Sequence, residues 1–182
     1  QCMLHERLWE QLLHVVQKLR QQGLFPVGLG PKMAQAGALA DEIAALRNAD
    51  ERLIKAAREQ EEHVHERLGR LRQAIYDLSF DREVIEKFLA RHPDASVPEL
   101  VTAFPGLGGY LECASVREVL DETTYQITEL ERRFAQVQQD WETLKKENAA
   151  TIARNMSLRR DLEREKTAAA SAVIESLIGP DG

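Results

Sequence analysis

Residues 113–144 read CASVREVLDETTYQITELERRFAQVQQDWETL, and this stretch decides the fold. Apolar or small residues recur at alternating steps of three and four through Cys113, Val116, Leu120, Thr123, Ile127, Leu130, Phe134, Val137, Trp141 and Leu144. An α-helix turns once every 3.6 residues, so this spacing aligns those side chains on one narrow stripe. A seam that keeps step over so many positions is the mark of a coiled coil. The same beat runs on, more polar, through Asn148, Thr151, Asn155, Leu158 and Leu162, and predicts one helix over residues 112–178. The small apolar run from Ala168 to Leu177 forms a further contact surface at its end.

N-terminal to this helix, residues 93–111 form a connector. Ser96-Val97-Pro98-Glu99 has the spacing of a capping box, in which a hydroxyl and a carboxylate three residues apart satisfy free amides. It predicts a short helix to about Phe104, ended by Pro105-Gly106-Leu107-Gly108-Gly109. Before the connector, residues 33–91 carry a second long seam: Leu39, Ile43, Leu46, Asp50, Leu53, Ala57, Gln60, Val64, Leu68, Leu71, Ile75 and Leu78. Its steps alternate four and three until two fours adjoin at Val64–Leu68, a stutter that locally unwinds a coiled coil. Val84, Ile85, Phe88 and Leu89 extend the apolar face, with a candidate break near Ser79–Asp81. The helix should stop at His92, because a residue before proline disfavours helical geometry. Residues 23–32, GLFPVGLGPK, interrupt the helical pattern and predict a loop packed through Leu24, Phe25, Val27 and Leu29. Residues 2–22 predict a first helix with Leu8, Leu12, Val15 and Leu19 on one face, widened by Trp9, Leu13 and Val16.

The expected fold is therefore all-α: a short N-terminal helix and two long coiled-coil helices of comparable length. The simplest arrangement is an antiparallel hairpin that turns at 93–111. Heptads do not name their partner, so pairing of each helix with other chains stays open. The composition agrees, with aromatic residues at 5% and charged residues at 30%, a mix suited to long helices on narrow seams. The net charge of −6 gives no global attraction to nucleic acid or anionic membrane. Cys2 and Cys113 lie far apart with no CxxC partner, which argues against a disulfide framework or structural zinc and for a reducing, intracellular setting. No apolar run approaches the roughly 20 residues that span a bilayer. The chain starts at Gln1 without an initiator Met, as a fragment would.

Motifs for chemistry are weak. The glycines of 23–32 lack the Lys-Ser or Lys-Thr of a phosphate loop, and Gly106-Leu107-Gly108-Gly109 reads as a turn. His63 and His65, two apart on a helix, point in different directions and read as solvated. Glu59, Glu61 and Glu62 read as a solvated face, and Glu129 with Arg133 as an i,i+4 pair. We expect no enzyme activity, no cofactor, no metal and no small-molecule substrate. The expected partners are other coiled-coil subunits, in a homo- or hetero-oligomer, held along Leu120, Ile127, Leu130, Phe134, Val137, Trp141, Leu144, Asn148 and Asn155. Asn148 and Asn155, seven apart in the seam, have the character of polar residues that fix register and partner number. Lys145, Lys146, Arg154, Arg159, Arg160 and Arg164 are the candidate contact for phosphates or acidic tubulin tails. Interleaved Glu142, Glu147, Asp161, Glu163 and Glu165 make a solvated face the simpler account of that cluster.

Residues 85–94, Ile-Glu-Lys-Phe-Leu-Ala-Arg-His-Pro-Asp, follow one long helix and precede another. Together with Leu71-Arg72, Asp81-Arg82-Glu83 and Glu129-Leu130-Glu131-Arg132-Arg133-Phe134, they resemble the seventh subunit of the THO messenger-RNA export complex, over residues 40–145 at most. The resemblance implies a nuclear scaffold subunit without catalytic residues that pairs with other THO helices. Long interrupted coiled coils are equally expected of cytoskeletal components of kinetochore, spindle or cilium, and that alternative stands beside it.

Overall fold

The structure, a computed structural model, describes residues 2–23 and 29–178, with the side chains of 2–6, 8, 9, 20, 29, 177 and 178 outside the description. Among the described residues, four α-helices and one 3₁₀ turn follow in order: α1 (Cys2–Gln21), α2 (Leu29–Arg91), α3 (Val97–Ala103), the 3₁₀ turn (Pro105–Tyr110) and α4 (Val116–Ile178). The chain is an all-α helical hairpin with no strand among the described residues, α2 and α4 each being 63 residues long. Leu, Ala, Glu, Arg and Gln, all strong helix formers, make up much of both helices. The chain divides into two compact units, one of residues 55–148 and one of residues 1–54 with 149–182.

Within the 55–148 unit, α2 ends at Arg91 in front of His92-Pro93, and the Ser79–Asp81 region continues as unbroken helix. Ser96 caps α3, its hydroxyl accepting from the Glu99 amide at 3.4 Å. Phe104, held out of helical geometry ahead of Pro105, ends α3. The following 3₁₀ turn kinks at Leu107 and drives that side chain into the core. Here Ile85, Val97, Leu100, Leu107, Val116 and Val119 are buried together, flanked by Phe88, Leu89, Val101, Tyr110, Cys113 and Leu120. The connector is thus a packed cap on the hairpin end. Thr123 is fully buried beneath it and satisfies its hydroxyl by donating to the Val119 carbonyl at 2.8 Å.

Helix α4 starts at Val116, four residues later than its heptad pattern predicts. A cap closely related to the capping box sets that point: Ser115 Oγ accepts from the Glu118 amide at 3.1 Å, and Glu118 Oε2 reaches back past Ser115 to accept from the Ala114 amide at 2.6 Å. Ser115-Val116-Arg117-Glu118 has the same spacing as Ser96–Glu99, and it displaces Cys113 from the helix into the preceding bend. Ser115→Ala is expected to lower unfolding stability by about 1 kcal/mol, the usual worth of an N-cap hydroxyl. A thermal or urea melt unchanged by the substitution would show that the cap does not define this helix start.

Within the other unit, Val16 of α1 packs against Val173 of α4, with Leu12 and Met33 beside them. This corrects the predicted N-terminal face: Val15 is 48% exposed and Val16 only 3%. Two adjoining stripes were available on α1, and contact with Val173 covers the one containing Val16. Leu12 and Leu19 are half-buried, while the side chains of Leu8 and Trp9 lie outside the described residues. Gly23 follows α1 at φ +70°, the left-handed geometry that suits glycine just past a helix end. Helix α2 begins at Leu29, not at Met33. Pro31 is tolerated there because first-turn amides have no helical acceptor to lose. The packing predicted for Leu24, Phe25 and Val27, and for the side chains of Leu29 and Leu177, falls outside the described residues.

Candidate functional site

In the 55–148 unit the facing stripes of α2 and α4 meet in antiparallel order, with Ile85 near Val119 and Arg72 near Phe134. On α4, Ile127, Val137 and Trp141 are buried and Leu120, Leu130, Phe134, Leu144 and Asn148 half-buried. Facing them, Val64, Leu68, Leu71, Ile75 and Leu78 are half-buried, and Gln60 is exposed. Arg72 lies with its guanidinium carbon 5.6 Å from the Phe134 ring centroid, and Lys145 with its ammonium 5.8 Å from that of Trp141. Cations over ring faces cover seam aromatics while keeping charge in water. Trp141 stands between two open grooves. One is lined in part by Gln60, Val64, Arg67, Val137 and Leu144, the other by Glu61, His65, Leu68, Gln138 and Lys145.

In the unit of 1–54 and 149–182, Leu39 and Ile43 are buried and Leu46 and Leu53 half-buried along α2, and the seam contains one ionic layer. Asp50 of α2 is buried among these apolar positions. Asn155 Nδ2 donates to its Oδ1 at 2.8 Å, and Arg159 Nη2 stands 3.2 Å from its Oδ2. The second contact has ion-pair distance without hydrogen-bond geometry, so Oδ2 and Arg159 Nε carry no hydrogen bond. Two predicted placements change here. Leu158, assigned to the seam, is 51% exposed, and Arg159, assigned to a surface cluster, points inward with its side chain 26% exposed. The steps Thr151–Asn155–Arg159 are two fours in succession, a stutter in α4. A buried carboxylate explains it: Leu158 turned inward would leave Asp50 facing one neutral donor, whereas Arg159 adds a formal countercharge. Further along, Arg47 pairs with Glu163 at 3.6 Å and Lys32 donates to Ser176 Oγ at 3.4 Å, which fixes the same antiparallel register.

The remaining cations of the basic cluster are largely engaged within α4. Lys145 pairs with Glu142 at 2.6 Å, Arg164 with Asp161 at 3.6 Å, and Arg154 donates to Thr151 Oγ1 at 3.3 Å; Lys146 and Arg160 are exposed. Glu129 pairs with Arg132 at 3.2 Å, one residue short of the predicted Arg133. His63 and His65 are exposed. Burial pushes the Cys113 thiol upward, helped by Glu118, Glu122 and Glu112. Burial, and then the neighbouring Asp77, also raises the Asp81 carboxyl. Among the described residues no group of three or more His, Cys, Asp or Glu is placed to hold a metal, and no helix is long and apolar enough to cross a membrane.

Sequence reasoning missed the Asp50–Arg159 pairing, although its signal was present. A charged residue on the beat of a Leu/Ile seam must find a donor across the interface. No family model, no curated protein and no solved structure matches this chain.

Proposed function

We propose that this chain is a non-enzymatic coiled-coil scaffold subunit of a multi-protein assembly, of the nuclear messenger-RNA processing and export kind suggested by residues 85–94. The observation that carries the reading is the Asp50–Asn155–Arg159 layer. A buried ionic layer in an apolar seam adds little stability; this one joins α2 to α4 of the same chain, and we read it as fixing the register in which the hairpin presents its outer faces to partners. Assembly components need that property. The open grooves beside Trp141 support the same reading, since they are shallow strips between helices of the form that a further helix fills.

Affinity purification of the tagged protein from nuclease-treated native lysate, followed by mass spectrometry, tests the proposal. Recovery of THO or other export subunits is the expected result. Recovery of tubulin, kinetochore or ciliary proteins would discard the nuclear assignment and favour the cytoskeletal one. A chain recovered alone, at every salt concentration tried, would sink the scaffold reading.

A further inference from the structure

Helix α2 carries a second stripe that the hairpin leaves uncovered. Gly69, Gln73, Tyr76 and Phe80 recur at steps of four, three and four, and all are exposed, Tyr76 at 67% and Phe80 at 59%. At 3.6 residues per turn this stripe lies nearly opposite Leu68, Leu71, Ile75 and Leu78, which face α4. It is uncharged over three turns of a helix whose other outward positions are mostly charged. Large aromatics held in water at seam spacing mark an interaction face.

We propose that this outer face of α2 is a self-docking surface, on which a second copy of the chain seats antiparallel about a two-fold axis, Gly69 of each copy receiving Phe80 of the other. The argument for a second copy is self-complementarity of size and charge. In an antiparallel pair centred between Gln73 and Tyr76, Gly69 falls opposite Phe80 and Gln73 opposite Tyr76, each layer occurring twice by symmetry. Gly69 offers a hole: a Cβ built there meets nothing within 4 Å in its own chain, so the vacancy opens outward. Phe80 supplies the matching knob. On the flank shared by both copies, Arg70 of one falls beside Asp77 of the other, whose Oδ1 accepts from Gln73 Nε2 at 2.9 Å within its own helix and whose Oδ2 is the oxygen left to face the guanidinium. At the ends, Glu62 falls opposite Lys87. One like-charged layer, Glu66 opposite Glu83, is offset within each copy by Arg70–Glu66 at 3.4 Å and Lys87–Glu83 at 2.8 Å. Antiparallel helices place like-named flank positions together, so these matches hold in this orientation alone.

Analytical ultracentrifugation of the full chain decides the matter, with the loading varied about a hundredfold up to the high micromolar range. The expected result is a reversible rise in mass from the 20.6 kDa monomer toward the dimer. Gly69→Leu fills the hole without a clash inside the chain and replaces a helical glycine by a better helix former. It should therefore melt no lower than the parent and weaken self-association by at least about tenfold. Asp77→Arg should also weaken it, and Arg70→Asp added to Asp77→Arg should restore it. A parent that stays monomeric throughout overturns the proposal. So does a Gly69→Leu variant that dimerises as well as the parent, because the contact would then lie elsewhere.

Discussion

Trp141→Ala is expected to lower the stability of the 55–148 unit by about 3 kcal/mol, the lower end of what loss of a buried tryptophan costs. Trp141 is buried where only α2 and α4 meet, and its indole separates the Val64–Leu144 groove from the Leu68–Lys145 groove. Alanine would merge the two into a channel open to water, which limits the cavity term but forfeits the transfer of the ring from solvent. Lys145 would lose the ring face it covers. Urea unfolding followed by circular dichroism measures the change, and the loss should fall in the transition assigned to this unit by hydrogen exchange. A midpoint within experimental error of the parent would mean that the α2–α4 seam is not formed at this level in solution.

Asp50→Ala should cost about 2–3 kcal/mol, because it leaves the Arg159 guanidinium without its countercharge and the Asn155 amide without its acceptor in an apolar seam. The figure is set below that of a fully buried pair since Arg159 keeps a quarter of its side chain in water. The contrast that gives the experiment its meaning is the triple variant with leucine at Asp50, Asn155 and Arg159. It should melt at or above the parent temperature, since an apolar layer of similar volume avoids the desolvation of two charges. If the layer sets register, the triple variant should also show broadened amide spectra and weaker discrimination among partner helices. A triple variant as uniform and as selective as the parent would assign the layer no specifying role.

Much of the hairpin was legible because α4 repeats one instruction. From Val116 to Leu144 each seam residue is apolar or a threonine that satisfies itself, as Thr123 does on the Val119 carbonyl. Local periodicity and long-range packing then ask for the same conformation, and the pattern suffices. Legibility failed where two answers were locally equal. Val15 and Val16 differ only in which neighbour reaches α1. Leu158 and Arg159 are separated by a carboxylate about a hundred residues away in sequence, and hydrophobicity favours the wrong one. Pro31 and Ser115 were misread for a different reason. Proline is harmful in a helix interior yet harmless in its first turn, and a heptad that begins at Cys113 conceals the cap two residues later. The Asp50 layer, the part of the candidate site with the most bearing on partner choice, therefore emerged only once both helices were placed side by side.

The packed cap formed by α3 and the 3₁₀ turn also bears on the order in which the chain acquires its structure. Ile85 and Val116 are separated by a short connector that is largely helical, so bringing them together sacrifices little chain entropy. Once they meet, each further α2–α4 rung toward Trp141 closes only a few additional residues, and growth from the cap proceeds downhill like a zipper. Ile85→Val should accordingly slow refolding, whereas substitution at Trp141 should chiefly hasten unfolding. Equal partitioning at the two positions in stopped-flow measurements would argue for nucleation elsewhere. A chain that starts from its own bend can set its register before any other helix arrives, which protects an exposed seam from premature pairing during synthesis.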